Sequence, residues 1–114
     1  MPTWSPVLVS AALLLSACGP ATPEEARIEN IQDMADAEAH DIEADFGNEI
    51  NQIRAEAATL TAQAEASNPF DAERLKTRAG ALQEEARIIE RQREARVKAV
   101  RDRAQAEVST IKAQ

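Results

Sequence analysis

Residues 64–71 read Ala64-Glu65-Ala66-Ser67-Asn68-Pro69-Phe70-Asp71, and this stretch decides the fold. Asn68 has the side chain of a helix N-cap, and Pro69 suits the first helical position, where its missing N–H costs nothing. Asp71 sets a negative charge near the positive end of the same helix. The proline ring also drives Asn68 out of the α region, as a cap requires. A second start of this kind lies upstream. In Thr22-Pro23-Glu24-Glu25 the spacing is that of a capping box, with Thr22 as N-cap and Glu25 at N3. After Pro23 the only proline is Pro69. The pattern predicts an all-α chain: two long antiparallel helices, 23–66 and 69–112, forming a coiled-coil-like α-hairpin with its turn near 67–69.

Hydrophobic periodicity supports the same arrangement. In the first helix an apolar seam runs Ile28, Ile31, Ala35, Ala39, Ile42, Phe46, Ile50, Ile53, Ala57, Leu60 and Ala64. In the second it runs Leu75, Ala79, Leu82, Ala86, Ile89, Arg93, Val97, Val100, Ala104, Val108 and Ile111. The order of steps in the second is the reverse of that in the first. Each seam residue therefore faces one whose number brings the sum to 139, and the centre of that symmetry falls beside Asn68-Pro69. Large residues meet small ones near the turn, as in Ile53 with Ala86, Ala57 with Leu82 and Ala64 with Leu75, which allows close interdigitation.

The charge pattern has the same sense. Helix 23–66 carries 12 acids and 2 bases, whereas 69–112 carries 8 acids and 11 bases. Residues 87–103 hold seven bases against three acids; the facing residues 36–52 hold six acids and no base. Opposite fields select antiparallel over parallel pairing. Within the second helix, Glu84–Arg87, Glu90–Arg93 and Glu94–Lys98 are expected to pair locally.

The N-terminal residues carry a different signal. Val7 to Ala17 is an uncharged apolar run of eleven. It is too short to span a bilayer, which takes ~20 residues, but it has the length of a signal-peptide core. It ends in Leu15-Ser16-Ala17-Cys18, which resembles the lipobox of bacterial lipoproteins at all four positions. The resemblance implies cleavage after Ala17 and a diacylglycerol on Cys18, the chain's one cysteine and so one without a disulfide partner. It further implies three segments: a signal peptide at 1–17, the lipidated cysteine with a short tether at 18–22, and the hairpin at 23–114. Gly19 stands where such lipoproteins carry Asp when they are retained at the inner membrane. The resemblance thus favours the periplasmic face of an outer membrane.

Composition narrows the function. From Cys18 onward there are 97 residues, of which Val, Ile, Leu and Phe make up 16. That is too few for an ordinary globular core. Ala, Glu, Lys, Leu and Arg make up 51, the composition of long helices. The best chemical cluster is Asp33, Asp36, His40 and Glu43, spaced as one helix face. Bundle metal sites use Glu-x-x-His pairs from facing helices, but here the order is reversed, the histidine is single and the facing stretch is basic. A solvated acidic face is the expectation, with no metal and no cofactor. The arginine-rich run 87–103 is interleaved with acids and lacks aromatic residues, so no nucleic-acid partner is expected. Arg93, the one polar seam residue, faces Phe46 and can lie over the ring or snorkel outward beside Gly47; snorkelling is the expectation. With Cys18 given to lipid and no Ser–His–acid set, no catalytic residue and no enzymatic activity are expected.

The murein lipoprotein is also small, lipidated and helical, but it is linked to peptidoglycan through a terminal lysine. The final residues here are Ile111-Lys112-Ala113-Gln114, so linkage of that kind is not expected. The sequence leads to a lipid-anchored envelope protein acting as a helical spacer or interaction module. It would exist as a monomer or weak homo-oligomer, with an envelope protein the sequence does not name as partner. The alternative is a periplasmic metal-binding or chaperone-like stress protein.

Overall fold

The computed structural model describes residues 22–114. The expected signal peptide and the lipidation site at Cys18 lie outside the described residues. Two helices account for nearly all of the remainder: α1, Pro23–Glu65, and α2, Pro69–Lys112, packed antiparallel along their length. The chain is an all-α helical hairpin.

Both helix starts are capped by the residues whose spacing suggested it. Glu25 N–H donates to Thr22 Oγ1 at 3.1 Å, and Thr22 N–H donates to the Glu25 carboxylate at 3.3 Å. Two otherwise orphaned donors are satisfied reciprocally. At the second start, Asp71 N–H donates to Asn68 Oδ1 at 3.0 Å, while Asn68 Nδ2 donates back to Asp71 Oδ2 at 2.8 Å. Helix α1 stops at Glu65, one residue earlier than expected, so the turn is Ala66-Ser67-Asn68. The final carbonyls explain this. Gln63 O and Ala64 O accept from the Ala66 and Ser67 N–H groups in tightened i→i+3 bonds, and Ser67 Oγ caps Gln63 O at 2.7 Å. Those bonds satisfy the end of α1 without a glycine.

Each of the 22 seam positions is buried or half-buried, and the flanking positions are exposed with few exceptions. The register in which numbers sum to 139 appears in the packing. Ala35 clusters with Ala104, Ile50 with Ile89, and Leu60 with Ala79. Seven of the thirteen buried residues are alanines, and Ala39 and Ala86 are each only 1% exposed. Among the described residues no polar or charged side chain is buried, and no helix is long and apolar enough to cross a membrane.

Helix α1 contains Gly47, and α2 contains Gly80. A Cβ built at either would meet nothing within 4 Å. Neither glycine serves a close approach, so each is a helix-weakening residue without a packing role. Gly47→Ala is expected to stabilise the hairpin by about 0.5–1 kcal/mol. Ala86→Leu should have the opposite effect: the added bulk at a closed seam position costs about 1–3 kcal/mol. Thermal unfolding followed by circular dichroism checks both, since 1 kcal/mol moves the midpoint of a domain this size by roughly 4–8 °C.

Candidate functional site

The residues singled out for chemistry lie on the flanks of the seam. Asp33, Asp36, His40 and Glu43 are all exposed. Asp36 lines a shallow open groove with Gln32, Arg101 and Lys112, and Glu43 lines the next one with Arg93, Lys98 and Arg101. Four side chains on one straight helix, at successive turns, project outward in parallel and do not converge on a point. Among the described residues no three His, Cys, Asp or Glu side chains come together as a metal site would require.

The cross-helix charge pattern is more sparing than the sequence suggests. Among the described residues two ion pairs span the helices. Arg103 binds Glu38 at 2.6 Å in the expected sense, and Arg54 of α1 binds Glu90 of α2 at 3.1 Å in the reverse sense. The other pairs are local to α2. Glu84 pairs with Arg87 and Arg91, and Glu90 with Arg93. Lys98 takes Asp102 one turn onward, so the expected Glu94–Lys98 pair is replaced. Along residues 36–52, Asp36, Asp41, Glu43, Asp45 and Glu49 have no base within ion-pair distance among the described residues. Exposed pairs are worth only ~0–1 kcal/mol, so side-chain entropy readily wins over pairing. The opposite fields of the helices persist without contact, over a Debye length of about 8–10 Å.

Of the two readings drawn from sequence for Arg93, the one that lays it over the Phe46 ring is overturned. The cation over the Phe46 ring is Arg96, 5.3 Å from the centroid. Arg93 instead donates to Glu90 Oε1 at 3.3 Å, and Glu90 Oε2 accepts from Arg54 across the seam. The result is a three-residue clasp, Arg54–Glu90–Arg93, around a half-buried carboxylate. Sequence reasoning anticipated its Glu90–Arg93 half and missed Arg54, because Arg54 and Glu90 stand off the 139 register by more than one turn and meet only through the length of the arginine. The available signal was that Arg54 and Arg27 are the only bases of α1.

Among the described residues the arrangement provides surfaces, with charge along both flanks and open grooves beside the seam. Comparison with known protein families, with curated proteins and with solved structures yields no match.

Titration of the purified protein with zinc, nickel or iron is expected to show weak carboxylate association alone, unchanged by His40→Ala. Calorimetry checks this. A stoichiometric, tight complex abolished by His40→Ala would establish a metal site at Asp33, Asp36, His40 and Glu43.

Proposed function

We propose that the protein is a non-enzymatic envelope lipoprotein. It would be held to the membrane by lipid on Cys18, with the hairpin serving as a rigid spacer or protein-interaction module. The lipobox-like Leu15-Ser16-Ala17-Cys18 supports the anchor, and the antiparallel course of the described helices supports the spacer. The antiparallel helices bring Thr22 and Lys112 to one end of the rod and Asn68 to the other. Three residues separate Cys18 from the cap Thr22, a reach of about 10–14 Å. A lipid at Cys18 would thus sit at the open end, and the turn would stand about 65 Å beyond it, by 1.5 Å per residue over 43 residues. Two or three acyl chains suffice for stable anchoring where one does not.

A hairpin that presents exposed charge along its flanks, and Phe70 at its tip, is built to meet macromolecules. Gly19 directs the proposal to the periplasmic face of an outer membrane.

Metabolic labelling with a fatty-acid analogue tests the tether. The protein should take up label and sediment with membranes, and Cys18→Ala should lose both properties. Label retained by Cys18→Ala, with sedimentation unchanged, would remove the basis of the reading.

A further inference from the structure

The charge of the hairpin is unevenly placed along the rod. Its open-end half, residues 22–49 and 90–114, holds fourteen acids against eight bases, a formal net charge of −6. The turn half, residues 50–89, holds six acids against five bases. Within the open-end half the acids of α1 stand in two rows. Glu25, Glu29, Asp33 and Asp36 follow one another at steps of three or four, as do Glu38, Asp41, Asp45 and Glu49, and all eight are exposed. That spacing puts like charges on successive turns, about 5–6 Å apart at Cβ, where they repel. Glu56 and Glu65, the acids of α1 in the turn half, have no acid three or four residues away.

Helix α2 gives these rows little relief. Its own acids and bases alternate, and Arg93 and Lys98 are spent on Glu90 and Asp102 of the same helix. Among the described residues Arg103–Glu38 is the one ion pair that joins the helices within the open-end half, with Arg54–Glu90 at its inner boundary. Arg96 lies over Phe46, and Arg101 and Lys112 stand beside Asp36 in an open groove. The seam beneath is thin: its buried residues here are Ala35, Ala39, Val100, Ala104, Val108 and Ile111. Half of them have only a methyl group to remove from water, so a modest repulsion weighs heavily against closure.

We propose that the open-end half of the hairpin is an ionic-strength-dependent closure: salt that screens the rows of α1 holds it shut, and dilute medium loosens it while the turn half stays paired. Self-repulsion of a chain far from neutrality opposes its compact state. In about 0.01 M salt charges interact over about 30 Å, so each carboxylate feels its whole row; in about 0.15 M salt the range is about 8 Å and only the next turn is felt. Attraction between the helices is screened as well, but it is the smaller quantity. In this half α1 carries −9 and α2 only +3, and the repelling carboxylates lie nearer one another than the helices' unpaired charges do. Added salt therefore removes more repulsion than attraction.

Thermal unfolding of the purified full chain, followed by circular dichroism at fixed pH, tests this without reference to lipid. The midpoint should rise by roughly 5 °C or more as sodium chloride goes from about 0.01 M to about 0.15 M. Glu29→Gln combined with Asp45→Asn removes an interior member of each row. It should raise the midpoint in dilute salt and abolish about half of the salt-induced shift or more. Glu56→Gln combined with Glu65→Gln changes the net charge equally and should leave the shift intact. Nitroxides carried on unnatural amino acids locate the opening. A pair at Asn30 and Ser109, near the open end, should move apart and spread in dilute salt, whereas a pair at Ala62 and Thr77, near the turn, should keep its distance. A midpoint that falls or stays level with salt, equal losses of the shift from the two double variants, or both label pairs opening together would overturn the proposal.

Discussion

Close approach at the seam is the constraint on which the hairpin depends. Two helices have only one mutual face to bury, so its positions are apolar with the single exception of Arg93, and the axes must come near enough for dispersion contacts to form. Alanine meets the second condition. Ala39, Ala57 and Ala86 are almost wholly covered although they have only a methyl group to bury. Larger residues lie beside these gaps: Ile53 packs at the cluster of Ile50, Ala86 and Ile89, and Leu75 and Leu82 pack against Ala57 and Ala79. Charge is consequently pushed to the flanks and outer faces, where it sets the field of each helix and contributes little to cohesion.

This division explains which features could be read from the amino acids alone. Caps and seam are local or periodic. Thr22 with Glu25 and Asn68 with Asp71 act over three residues, and the seam repeats in step with the helix, so both could be located without coordinates. Flank contacts are neither. Arg96 rather than Arg93 covers Phe46, and Lys98 chooses Asp102 over Glu94. Each choice turns on rotamers of long, exposed side chains whose alternatives differ by tenths of a kcal/mol, which no spacing rule resolves. The end of α1 at Glu65 was off by one residue for a similar reason, since the hydroxyl of Ser67 competes for the last carbonyls.

The same division bears on function. A chain with its apolar residues spent on one seam and its charges arrayed outside has surfaces, edges and a tip to offer. Polar groups that could converge at depth are missing from the described core. Recognition by such a rod, in the proposed role, would depend on matching length, register and sign of charge along a line. Specificity of this kind is distributed over many weak contacts and is sensitive to axial slippage. The Arg54–Glu90–Arg93 clasp, near the middle of the rod, joins the two helices at one defined height.

The position of the turn also orders how the molecule assembles. The innermost seam pair, Ala64 and Leu75, is separated by a loop of about ten residues, whereas Ile28 and Ile111 are joined only after the whole chain has been brought back. Loop-closure entropy is therefore smallest at the turn, and each further pair extends a zipper already begun. Opening follows the reverse order. The free ends part first, and the Leu60–Ala79 region is last to separate, so amide exchange should slow progressively from the open end toward the turn. A rod of this construction loosens at its root while its tip stays folded.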